Sequence, residues 1–227
     1  MIFKKYVFIN KGANDLTEMY CSAWNDPDNG NAGDDFVGVD STLGMGYCYN
    51  AFATDQVYGS TPPATAFDFF QGPVVPGEAT DEAKSMGRKI KGYKNLNATA
   101  FYYFVNENGT IYSDPDLDDY ATGTLYFYNL LQGRIGATGE EFPIPEQLGG
   151  GHTHFPLSGD PITQTGYIDG IIKSAADRRY GLSSGPFTLA AGDTQEVVIA
   201  EMVAGATAGI DNLGALKLLR TYDAKAQ

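Results

Sequence analysis

The chain has 227 residues, 43% of them hydrophobic, with 28 acidic and 15 basic side chains and a net charge of −13. That balance argues against nucleic-acid backbones and anionic membranes, which recruit basic patches, and no apolar run approaches the ~20 residues of a membrane helix. Nineteen acids are Asp and nine are Glu, and Gly with Pro makes about 17% of the chain against a usual ~12%, so the charge belongs to loops and caps and not to a helical bundle.

In chain order, residues 3–9 carry Phe, Tyr, Val, Phe and Ile among lysines and run into Asn10-Lys11-Gly12, a strand followed by a turn. No secretion signal is read there, which leaves a cytoplasmic protein or a domain of a longer exported chain. Leu16–Trp24 reads as a second extended piece, residues 25–42 as a polar loop, and residues 43–58 as aromatic-rich chain. Pro62-Pro63, Gly72-Pro73 and Pro76-Gly77 punctuate the next stretch, and the basic segment 78–92 is expected as a loop excursion. Thr99–Val105 has high strand propensity, with a turn at 106–109. Asp119 is placed to cap a short helix whose apolar side would be Tyr120, Leu125, Tyr128 and Leu131. Residues 133–152 are expected as a second excursion. Phe187–Leu189 and Glu196–Ala204 read as strands around an Ala-Ala-Gly-Asp turn. Asp211–Ala226 is the clearest helix, with Ile210, Leu213, Leu216, Leu219 and Tyr222 as its stripe. Many strands, long loops, a short mid-chain helix and a C-terminal helix predict one mainly β domain over 1–227, a jelly-roll-like β-sandwich.

The densest chemical signal is Asn25–Asp40, where five carboxylates and three asparagines are interleaved with three glycines. Calcium takes about six to eight hard oxygen ligands, and Asp-rich loops with glycine-permitted turns supply them. Asp26, Asp28, Asp34, Asp35 and Asp40, with Asn29 or backbone carbonyls, are the expected ligands of a structural Ca2+. The loop is not an EF-hand, since Val37 stands where the bidentate Glu belongs. The alternative is a solvated turn whose Asp and Asn side chains bond local backbone. A second acidic run, Asp114 to Asp119, lacks glycines and reads as a loop plus helix cap.

Other constellations are weaker. His152 and His154 fall on one face of a strand, yet the chain has no third histidine, so they read as a polar strand edge. Cys21 and Cys48 are compatible with a disulfide or with two free thiols. There is no G-x-S-x-G, phosphate loop, dinucleotide fingerprint or H-E-x-x-H. Trp24, Tyr47, Tyr49 and Tyr58 are candidates for stacking on sugars, against the simpler role of packing. Asn97 and Asn108 head N-x-T patterns, which carry little specificity.

Several stretches together look familiar: Asp26-Pro-Asp28 with Asp34-Asp-Phe-Val-Gly-Val-Asp40; Gly46-Tyr-Cys-Tyr-Asn50; Phe69-Phe-Gln-Gly-Pro73; Ser158-Gly-Asp-Pro161; Asp177-Arg-Arg179; and Ser183-Ser-Gly-Pro-Phe-Thr-Leu189 with Gly192-Asp-Thr-Gln-Glu196. In this order they resemble an uncharacterised region of large secreted proteins from Bacteroidetes- and Ignavibacteria-type bacteria, chains that commonly end in a type IX secretion sorting domain. The resemblance spans nearly the whole chain except 78–92 and 133–152. It implies location, outside the cell or at its surface as one module of a longer chain, and assigns no reaction.

The expectation is therefore a non-catalytic, calcium-stabilised extracellular or cell-surface module for structure, adhesion or filament assembly. Its partners would be other surface proteins, copies of itself or glycans, with no nucleic acid and no membrane insertion. A carbohydrate-binding module is the alternative, and a glycan hydrolase using two of the carboxylates the third. Asp177-Arg-Arg179 is placed to bring a guanidinium to the acidic loop.

Overall fold

A computed structural model describes residues 1–107, 109–116 and 119–227. The strands are β1 (Ile2–Ile9), β2 (Leu16–Asn25), β3 (Asp35–Asp40), β4 (Met45–Asn50), β5 (Ala64–Gln71), β6 (Val74–Pro76), β7 (Glu82–Ser85), β8 (Arg88–Lys91), β9 (Tyr93–Asn95), β10 (Ala100–Val105), β11 (Phe142–Pro143), β12 (His152–Thr153), β13 (Arg178–Leu189) and β14 (Thr194–Ala204). Helix α1 (Tyr120–Leu131) precedes β11, and α2 (Asn212–Ala226) closes the chain. The fold is mainly β, as its composition predicts.

Two antiparallel sheets form the sandwich, one in the order β1-β14-β5-β4-β3 and one in the order β10-β13-β2. Alternation decides their faces. Val37, Val39, Cys48, Val197 and Ile199 of the first sheet share a core with Ala23, Phe101, Tyr103, Tyr180 and Leu182 of the second. The Tyr180 hydroxyl donates to the Gly46 carbonyl at 3.2 Å, so the buried phenol is satisfied across the layers. The opposite face of the first sheet, with Met45, Tyr47, Tyr49, Ala66 and Met202, is covered by Ala215, Leu216 and Leu219 of α2. Gly181 on β13 lies opposite Tyr102 on β10, and a Cβ there would come within 2.0 Å of the ring.

The structure departs from the sequence expectations in particular places. A third of the expected 25–42 loop is strand β3, whose Asp35 and Asp40 ends disguise its buried Val37 and Val39. The excursion at 78–92 contains the hairpin β7–β8, and β11 and the start of β12 lie in 133–152. Helix α1 is capped by Asp119 as expected, but Tyr120 and Leu125 are exposed, and Leu130, with Phe127 and Leu131 beside it, meets the core. Buried Gly123 turns the helix, since a Cβ there would sit 2.0 Å from the Asp116 carbonyl. In α2, Asp223 is buried and Tyr222 is exposed. No helix among the described residues is long and apolar enough to cross a membrane.

Candidate functional site

Strand β2 ends in Asn25 and the chain turns through Asp26-Pro27-Asp28, Asp28 adopting a φ of 39°. This turn meets the start of β13. Carboxylate oxygens of Asp26, Asp28 and Asp177 lie within 4.8 Å of one another, the one such trio of possible metal ligands among the described residues. Arg179 lies among them, its Nε 3.1 Å from Asp26 Oδ2 and its Nη1 3.2 Å from Asp177 Oδ1 and 3.5 Å from Asp114 Oδ2. Asn106 donates to Asp177 Oδ2 at 2.9 Å. Three carboxylates thus pair with one guanidinium, and Asp28 stands beside two of them. Partial burial, with Asp26 and Asp177 adding negative potential, raises the Asp28 pKa. Burial also raises Asp114, against the pull of Arg179. Hard oxygens converging with a surplus of negative charge suit a divalent cation.

The other expected ligands go elsewhere. Asn29 is buried, its Nδ2 donating to the Cys48 carbonyl at 3.1 Å and its N–H to Asp35 Oδ2 at 3.0 Å. Asp35 is 1% exposed, and burial pushes its pKa up to about 7 despite that N–H. Asp34 accepts from Asn50 Nδ2 at 2.9 Å. Asp40, at the β3–β4 turn, accepts from the Thr42 and Leu43 N–H groups and faces Arg220 of α2. Asp26 and Asp28 therefore share a site with Asp177 and Asp114, while Asp34, Asp35, Asn29 and Asp40 serve turns and strand ends. Asp177 was legible only through its neighbour Arg179, since strand pairing sets its distance from Asp26.

Asp119 accepts from the Ala121 and Thr122 N–H groups as a cap, and Asp118 lies outside the described residues, as does Asn108. His154 Nδ1 lies 2.9 Å from the Gln132 carbonyl and its Nε2 3.4 Å from Glu141, while His152 is exposed. Cys21 and Cys48 are free thiols. Of the aromatic candidates, Tyr47 and Tyr49 are buried under α2, Tyr58 is exposed in a loop, and Trp24 is half exposed.

Trp24 borders a groove of about 740 Å³ between β1 and β2. The shorter second sheet leaves this side of the sandwich open, so Tyr6, Phe8, Phe67, Phe69 and Val197 line the groove. Lys4 and Glu201, which form an ion pair, and Asp26 also border it. The lining is mainly apolar and aromatic, with few charged groups at the margin, the make-up common to small-molecule pockets. No family model, curated protein or solved structure matches the chain.

Proposed function

We propose that this chain is a non-catalytic, calcium-strengthened module acting outside the cell or at its surface in structure, adhesion or surface assembly, as one part of a longer exported chain. The observation that carries the reading is the convergence of Asp26, Asp28 and Asp177, with Asp114, around the single Arg179. These groups come from the end of β2, the loop before α1 and the start of β13, so a cation held there would tie three distant segments together. Such a cation binds the folded chain and not the unfolded one, and stabilises it by about 2.7 kcal/mol at 100 times its Kd. For a chain of this size that corresponds to a rise in melting temperature of roughly 5–10 °C.

The test is thermal melting in calcium and in chelator. Calcium is expected to raise Tm in the wild type and much less in Asp28→Asn. Identical curves in both buffers would refute calcium binding. A carbohydrate-binding role is the second reading, favoured by half-exposed Trp24 and Tyr6 on the same groove. Glycan-array binding that is lost in Trp24→Ala would select it.

A further inference from the structure

The sandwich has four sheet edges: β1 and β3 in the first sheet, β10 and β2 in the second. Three are closed or interrupted. The β3 edge receives the 157–176 segment, with Val39 N–H donating to the Leu157 carbonyl, Val37 N–H to Asp169 Oδ2, and Ala176 N–H to the Asp35 carbonyl. The β10 edge is met by the His154 and Tyr112 carbonyls, which accept from the Phe101 and Val105 N–H groups. Strand β2 carries Glu18 at a φ of 52° and breaks register with β13 twice, irregularities that spoil an edge for pairing.

Strand β1 differs from all three. It pairs with β14 in unbroken register over eight residues and has no proline or bulge. Ile2, Phe3, Tyr6, Val7 and Ile9 are 44–61% exposed. Lysines normally guard such an edge, but Lys4 is tied to Glu201 and Lys5 to Glu196 at 3.2 Å, both on β14. The direction of its backbone groups follows from Asn10, whose N–H donates to the Asp193 carbonyl and whose carbonyl accepts from Gly192. Alternation back along the strand turns Phe8, Tyr6 and Lys4 toward β14 and leaves the N–H and C=O of Phe3, Lys5, Val7 and Ile9 facing outward. The Glu196 carbonyl, which accepts from Gln71 of β5, agrees with this phase.

We propose that β1 pairs antiparallel with β1 of a second copy, about a two-fold axis through Tyr6, joining two five-stranded sheets into one. The inference rests on the assembly part of the proposed function and names the partner. A two-fold perpendicular to the sheet keeps each side chain on its own face, so odd residues must meet odd and even meet even. Centred on Tyr6, Phe3 meets Ile9 and Lys5 meets Val7, each pair exchanging two hydrogen bonds, while Lys4 meets Phe8. Every outward-facing polar group is then satisfied and no two lysines stand opposite one another. Moving the centre to Lys5 sets Lys5 against Lys5, and moving it to Val7 leaves Phe3 unpaired.

Sedimentation velocity on wild type and Val7→Pro tests this. Proline at position 7 removes only an outward N–H, so the β14 ladder survives. A wild-type dimer and a cooperatively folded Val7→Pro monomer are expected, with a Tm that rises with protein concentration only in the wild type. In Tyr6→Cys the two symmetry-related thiols would face each other at a Cα separation of about 4.5 Å, within disulfide range, and mild oxidation is expected to give a covalent dimer absent from the wild type. This decides the matter if Val7→Pro fails to fold. A wild type that stays monomeric without a Tyr6→Cys cross-link overturns the proposal, as does a dimer that persists in Val7→Pro. Neither result touches the calcium dependence of melting, which is read on the monomer as well.

Discussion

At the scale of single residues, this protein spends its acids on hydrogen bonding. Asp55 accepts from the N–H groups of Val57, Tyr58 and Asn31, Asp40 from two N–H groups, and Asp211 and Asp119 cap the two helices. Asp169 goes furthest. Its carboxylate meets Arg178 through both Nε at 2.9 Å and Nη2 at 3.0 Å, and also accepts from Val37 N–H. Both side chains are almost fully buried, and the guanidinium also donates to the Ser174 carbonyl. Removing one partner leaves the other charge stranded in a poor dielectric. Asp169→Asn is expected to cost about 3–5 kcal/mol, measured as a lower urea midpoint at pH 7. The sequence displayed Asp177-Arg-Arg179 as one motif, but its two arginines do different work: Arg178 faces the core and Arg179 the surface acids.

At the scale of elements, α2 docks through a leucine stripe that periodicity revealed and through a polar contact that it did not. Asp68 of β5 and Asp223 of α2 are both fully buried, and Gln227 Nε2 donates to Asp68 Oδ2 at 2.9 Å and to Asp223 Oδ2 at 3.2 Å. Burial, then the neighbouring Asp223 charge, pushes Asp68 up to about 8, and burial raises Asp223 as well. Both folded values lie above the unfolded one near 3.9. The folded state therefore binds more protons, and stability falls as pH rises from about 4 through about 8. Asp35, raised to about 7, contributes with the same sign. Urea unfolding from pH 5 to 9 should show this decline, and Asp68→Asn should flatten it. A wild type with constant stability across that range would contradict the raised carboxyl pKa values at this contact.

At the scale of the whole molecule, a charge of −13 spread over 227 residues repels itself, and salt screens that repulsion with a Debye length of about 8 Å at physiological strength. Sodium chloride is expected to raise Tm modestly in the wild type and in Asp28→Asn alike. Calcium at matched ionic strength is expected to raise it further in the wild type and hardly at all in Asp28→Asn. Equal effects of the two salts on both proteins would reduce the calcium response to screening alone.

Composition and alternation determined the mainly β class, the strand at the N-terminus, the two helices and their Asp caps, because period and capping are local properties of the chain. β3 and most of β13 escaped that reading: polar and charged residues such as Asp35, Arg178 and Ser184 sit inside them, held by the Asn29 N–H, the Asp169 carboxylate and the Asn97 carbonyl, which only the folded chain brings to them. The same limit applied to the acidic site. Sixteen consecutive residues announced a concentration of carboxylates, but which of them share a cation site depends on strand β13 bringing Asp177 and Arg179 to Asp26 and Asp28. Sequence spacing carries a charge count, and only tertiary pairing converts it into distances, on which both coordination and repulsion depend.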